Sequence, residues 1–149
     1  MLDNYNRANM SQIEREGERL ATRAIIVVGG KVLLGKRGRG IGKDQFALVG
    51  GKPDEGETLE QAIVREVEEE TGLKFINPML WVDEVNDKTI PGQVWHTYYF
   101  LGEVEGELRL KVDEIPQVVY VGKDDLSELD IAFGHKEVLD RFFNEVGEV

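Results

Sequence analysis

Residues 51 to 73, Gly51-Lys-Pro-Asp-Glu-Gly-Glu57-Thr-Leu-Glu-Gln-Ala-Ile-Val-Arg65-Glu66-Val-Glu-Glu69-Glu70-Thr-Gly72-Leu73, carry the reading of the chain. Thr58 with Gln61 three residues on forms a capping-box pattern, Glu57 and Glu60 favour the positive end of a helix, and Gly72 supplies a left-handed stop after Thr71. The spacing predicts a helix of about four turns. Leu59, Ala62, Ile63 and Val67 recur at helical intervals and form one apolar stripe. Glu66, Glu69 and Glu70 stand at i, i+3 and i+4, so three carboxylates converge on one surface. Such like-charge pairs each destabilise a helix by roughly a few tenths of a kcal/mol. A divalent cation offsets that repulsion, since clustered hard oxygen ligands suit magnesium or manganese, which in turn bridge to substrate phosphates. A solvated acidic face, the ordinary meaning of a glutamate run, requires neither the preceding Gly50-Gly51 pair nor an arginine and a terminal glycine at set offsets. The glycine pair lets the backbone approach a ligand closely and can present a carbonyl to a metal.

Composition fits one small enzyme-sized domain. The 149 residues are 41% hydrophobic and 32% charged, enough for one core. A formal net charge of -11 argues against nucleic acid or an anionic membrane as partner, so an anionic ligand has to be captured locally by metal and a few placed cations. The chain has no cysteine, hence neither disulfides nor thiol chemistry. Its start lacks a basic, apolar leader, and the longest apolar run, Ala24 to Val28, is too short to span a bilayer. The expectation is a cytoplasmic address.

Outward from the central helix, residues 22–28 and 31–36 read as strands joined at Gly29-Gly30, a hairpin signature. Phe46 to Val49 is a short strand feeding the glycines. Segments 75–86 and 93–104 are longer strands around a turn with Pro91-Gly92, and 117–122 is another strand. His135 to Asn144 closes the chain as a helix with Val138, Leu139, Phe142 and Phe143 apolar. Residues 7–20 read as a further helix, making 1–20 an N-terminal helical extension that covers the sheet or forms a dimer contact. The pattern is α+β. Trp81, Trp95, Tyr98 and Phe100 lie on strands and could stack a base, although alternate strand positions face a core.

Written as G-x5-E-x7-R-E-V-x-E-E-x-G-L, residues 51–73 resemble the Nudix box of hydrolases acting on nucleoside diphosphate-linked substrates, without a mismatch at a defining position. The resemblance implies the Nudix α/β/α sandwich around a mixed sheet, with 1–149 as a single domain. It also implies magnesium-dependent attack of water on a phosphoanhydride, with manganese as a substitute. Carried over by position, Gly50 through its carbonyl, Glu66, Glu69 and Glu70 are metal ligands or their neighbours. Arg65 orients the glutamates, Glu57 braces the loop, and Gly51 and Gly72 are structural. Glu66 is a candidate general base. Glu114, followed by Tyr120, resembles the downstream glutamate that ligates metal or acts as base, with Asp113 as its rival.

Leu33-Leu34-Gly-Lys36-Arg37 resembles the strand that delivers an arginine to phosphates in MutT-like members, which makes Arg37 and the similarly placed Lys52 candidates for the phosphate tail. Arg39 lies in the basic, glycine-rich loop Gly38 to Asp44, a candidate rim. His135 stands where oxidised-guanine members carry an asparagine, so it either touches a base or caps the final helix. Phe46-Ala-Leu48-Val49 lacks the proline that many relatives place before the glycines.

Markers of other branches are missing. Lys88 occupies the proline position of the ADP-ribose branch, Ile90 the tyrosine position of the dinucleoside-polyphosphate branch, and the NADH-type sequence is absent. The isopentenyl diphosphate isomerases depend on a cysteine and are excluded. The resemblance therefore favours a MutT-like enzyme cutting a nucleoside triphosphate to monophosphate and pyrophosphate. The alternative is an ADP-ribose or other sugar-nucleotide pyrophosphatase, and a further one is a non-catalytic sensor or interaction module. The expected partner is a small nucleotide, and a homodimer stays open.

Overall fold

The computed structural model describes residues 18–146. The elements are β1 (Glu18–Val28), β2 (Lys31–Lys36), β3 (Phe46–Ala47), β4 (Val49–Gly51), α1 (Leu59–Thr71), β5 (Lys74–Asn86), β6 (Val94–Glu105), β7 (Gln117–Val121) and α2 (His135–Glu145), with a 3-10 turn at Lys123–Glu128. Among the described residues seven strands form one mixed sheet in the order β3-β2-β1-β6-β5, with β4 pairing β1 and β7 pairing β2.

β1 is the hub. It runs parallel to β6 from Glu18/Val94 to Ile26/Gly102, antiparallel to β4 over Thr22 to Ala24, and antiparallel to β2 at its end. The β1–β2 turn uses Gly29 and Gly30 with φ of 58° and 79°, the left-handed pair that a two-residue hairpin demands.

Strand alternation sorts the apolar residues onto the two faces. Ala24, Ile26, Leu33, Val49, Tyr98 and Phe100 pack with Leu59, Ile63 and Val67 of α1. Their neighbours Ile25, Val32, Leu34, Leu48 and Tyr99 pack with Val138, Leu139 and Phe142 of α2. A period of two on each strand thus builds two cores back to back, each closed by one helix. This is the α+β sandwich expected.

The capping box is present: Thr58 Oγ1 accepts from the Gln61 N–H at 3.1 Å, and Gln61 Oε1 accepts from the Thr58 N–H at 3.0 Å. Gly72 ends α1 at φ 77°, its N–H donating to the Glu68 carbonyl. Strand bounds match the expected ones closely, except that 46–49 divides at Leu48 into β3 and β4. The helix expected over 7–20 is corrected at its end: Glu18, Arg19 and Leu20 are strand, paired with Val94, Trp95 and His96, because a parallel ladder takes their backbone hydrogen bonds. The rest of that helix lies outside the described residues. No helix among the described residues is long and apolar enough to cross a membrane.

Candidate active site

The site is organised by α1 against β4. Arg65 is its centre. Its Nε and NH2 donate to Glu57 Oε2 and Oε1 at 2.7 and 3.0 Å, and NH2 also reaches the Lys52 carbonyl at 3.0 Å. NH1 donates to Glu66 Oε1 at 2.9 Å and to Glu69 at 3.2 Å. A planar fork of fixed donors can serve several carboxylates at once, which a lysine cannot. The hydrogen bond from Arg65 holds the Glu57 carboxyl below its ordinary range. Glu57 in turn accepts the Asp54 N–H at 2.6 Å, tying the loop before the helix to its first turn.

Glu66 and Glu70 are more enclosed. Glu70 is 9% exposed, and its Oε1 accepts the Gly50 N–H at 3.2 Å. Burial and the neighbouring Glu66 charge push its pKa up to about 7. Burial also raises Glu66, against the pull of Arg65, and the Glu69 and Glu114 charges add to the rise. Both glycines are spatial requirements. A Cβ on Gly51 would lie 2.6 Å from the Glu66 carboxyl carbon, while one on Gly50, whose φ is 154°, would fall on the Thr22 carbonyl.

Glu114 arrives from the segment after β6. Arg109 and Lys111 donate backbone N–H groups to the Thr71 and Glu70 carbonyls at 2.6 and 3.0 Å, so the exposed carbonyls at the end of α1 anchor this segment. The Glu114 charge is thereby felt at both Glu66 and Glu70. Its carboxylate accepts from Arg39 at 2.7 Å and pairs with Lys111 at 3.2 Å, and Arg39 also approaches Asp113 at 3.7 Å. Lys52 is exposed beside the glycines.

Of the proposed metal ligands, Gly50, Glu66 and Glu70 are brought together, and Glu114 approaches them. Glu69 is turned outward onto Arg65. Among the described residues no three acidic or histidine side chains stand ready as an ion cage in this arrangement. The donor set nevertheless fits a hard divalent ion in kind: carboxylate oxygens, with the Glu66 and Glu70 carboxyls displaced upward by burial first and by neighbouring glutamate charges second.

On the α2 side of the sheet lies a cavity of about 250 Å³, lined by residues that include Arg23, Arg37, Glu84, Trp95, Tyr99, Phe133 and His135. Strand pairing places them: Arg23 sits opposite both Gly50 on β4 and Tyr99 on β6. Arg23 donates to the Leu48 carbonyl at 2.9 Å, and Arg37 to the Ile41 carbonyl at 2.8 Å. Both guanidiniums stack on Phe133, 5.5 and 4.7 Å from the ring centroid. Burial lowers both pKa values from the ordinary arginine range, and Glu70 acts in the opposite direction on each. Neither forms an ion pair with a described residue, so two cations stand at the end of the cavity nearest the acidic helix.

His135 is 2% exposed, and its Nδ1 accepts the Leu48 N–H at 3.1 Å. Burial holds its pKa well below the usual histidine value, and the charges of Arg23 and Arg37 add to this. The ring is a wall of the cavity that carries a structural hydrogen bond, and it is also the first residue of α2. Of the four aromatic residues considered for stacking, Trp95 lines the cavity. Tyr98 and Phe100 are core, and Trp81 packs edge-on against Phe142.

Arg23, Phe133 and Glu84 were not singled out from sequence. A signal existed for Arg23, the one charge within Leu20 to Val28, in a position whose burial is costly without a purpose. Phe133, at φ 62°, gives no such signal.

An acidic helix face beside two guanidiniums and an aromatic-lined cavity suits a hydrolase of phosphoanhydrides. The NUDIX domain model matches residues 17–142, and the chain belongs to that family, whose members use divalent metal ions and act on nucleoside diphosphate-linked substrates. It is 35% identical over 121 residues to an ADP-ribose pyrophosphatase of Methanocaldococcus jannaschii, covering 80% of this chain and 70% of that one. It is 28% identical over 110 residues to nucleoside triphosphatase NudI of Escherichia coli, covering 68% and 78%. Among solved structures, a MutT NUDIX hydrolase from Burkholderia pseudomallei superposes with a TM-score of 0.75 at 28% identity, covering 83% of this chain and 96% of that one.

Proposed function

We propose that this enzyme hydrolyses a nucleoside triphosphate to the monophosphate and pyrophosphate. The observation that carries the reading is the junction of the cavity, through Arg23 and Arg37, with the acidic face. The cavity of about 250 Å³ sets the Trp95 ring beside the two guanidiniums, a lining that suits a nucleoside at the foot of a phosphate chain. Beyond the carboxylates the exposed cations Lys52 and Arg39 suit a phosphate tail.

Magnesium, held by Glu66, Glu69, Glu70, Glu114 and the Gly50 carbonyl, would neutralise the phosphates and polarise the attacking water. The protein does the rest by position. Arg65 aims Glu66 and Glu69, Arg23 and Arg37 hold the phosphate next to the nucleoside, and Phe133 orients both guanidiniums. Glu66 or Glu114 accepts the proton of the water. Lys52 and Arg39 stabilise the departing charge, and Arg39 can exchange its Glu114 contact for phosphate.

A substrate panel with magnesium or manganese, its products separated by chromatography, tests the proposal. Pyrophosphate plus a monophosphate from triphosphates is the expected result. The similarity to the ADP-ribose pyrophosphatase favours a second reading, in which ADP-ribose yields two monophosphates; those products alone would replace the first. Silence across the panel would favour a sensor.

A further inference from the structure

The cavity is electrically two-ended. Arg23 and Arg37 occupy the end toward the acidic helix, and Glu84 of β5 lines the same space without an ion pair to either. Sheet register explains the placement: Glu84 sits opposite Thr97, Asn86 opposite Trp95, and Tyr99 follows two residues after Thr97, so all project from one face. The hydroxyl of Tyr99, a residue 1% exposed, donates to Glu84 Oε1 at 2.8 Å and fixes the carboxylate. No other donor among the described residues reaches that carboxylate.

The neighbouring amides are already engaged. Asn86 Oδ1 accepts the backbone N–H groups of Lys88 and Thr89 at 2.8 and 3.0 Å, and Gln93 Oε1 accepts the Trp95 indole N–H at 2.9 Å. Glu84 Oε2 receives no donor from a described residue, and it shares its part of the wall with Asn86, Trp95 and Thr97. The half-buried Trp95 ring suits a flat heterocycle and is indifferent to its edge.

We propose that Glu84 selects the base by accepting a hydrogen bond from an exocyclic amine, so that the enzyme favours adenine over hypoxanthine nucleotides and cytosine over uracil nucleotides. The inference rests on the nucleoside reading of the cavity but not on which anhydride is cut. An ionised carboxylate is an acceptor only. It accepts from the 6-amine of adenine or the 4-amine of cytosine. At the same ring position hypoxanthine and uracil carry a carbonyl oxygen, which sets the carboxylate against a lone pair in place of an N–H. Sites built around one hydrogen bond reject a ligand lacking it far more strongly than apolar pockets reject a methyl group.

Calorimetric binding of two isosteric pairs, AMP against IMP and CMP against UMP, to the wild type and to Glu84→Gln tests this without any catalysis. Wild type should bind AMP and CMP about tenfold or more tightly than their partners. Glu84→Gln, whose amide can turn either way, should bring each pair to within about twofold. Equal binding within each wild-type pair would overturn the proposal even if the variant did not fold, as would a preference that survives in a folded variant. Both results leave the nucleoside reading standing. If none of the four bound, the nucleoside reading itself would fall.

Discussion

Arg65 grips Glu57 with two hydrogen bonds, Nε to Oε2 at 2.7 Å and NH2 to Oε1 at 3.0 Å, across one face of α1, and spends its remaining nitrogen on Glu66 and Glu69. The second acid partner and the loop carbonyl of Lys52 depend on the same planar fork. Arg65→Lys should retain the charge and lose the geometry. Charged hydrogen bonds contribute about 1.5–3 kcal/mol each, so a loss of about 2 kcal/mol in stability is expected by denaturant titration. Turnover should fall about a hundredfold or more, as misplacement of a catalytic group does.

The adjacent glycines should fail in different ways. Gly50→Ala drives a Cβ onto the Thr22 carbonyl from a backbone at φ 154°, and because backbone cannot yield cheaply the variant should be strongly destabilised. Gly51→Ala meets only the end of the Glu66 side chain, at 2.6 Å. Its melting temperature should stay near wild type while metal-dependent turnover collapses. Thermal melts and single-turnover assays on the pair separate the two.

Glu70 makes the metal-free protein less stable as pH rises. Its folded pKa of about 7 exceeds the ordinary 4.5, so between those values the folded state holds more protons than the unfolded one, and stability falls with pH until about 7. Glu70→Gln keeps an acceptor for the Gly50 N–H and removes the charge. Its metal-free melting temperature at pH 8 should exceed that of wild type, and added magnesium should raise it less. An equal magnesium response in both proteins would contradict a role for Glu70 in holding the ion.

His135 has the opposite sign. Its folded pKa lies well below 6.5, so the unfolded state binds more protons below that value, and the stability it contributes at neutral pH is lost as pH falls through 6.5. His135→Gln can still accept from Leu48 N–H. Melting temperatures at pH 5 and 7.5 should differ less in this variant than in wild type.

How much of this was legible depended on range along the chain. Capping at Thr58 and Gln61, the stop at Gly72 and the placing of Glu66 and Glu70 one turn apart follow from helix period and from hydrogen bonds between near neighbours, so residues 51–73 by themselves determined the helix, while the turn of Glu69 onto Arg65 was decided by the fold. The hairpin at Gly29-Gly30 was legible for the same reason. Only the tertiary structure decided that Glu18 to Leu20 are strand, that Arg23 stands opposite Gly50, and that Tyr99 holds Glu84. Those relationships join residues far apart in the chain through sheet register. Register is set by what each face can bury and pair across the whole sheet, a quantity that no local window of sequence contains.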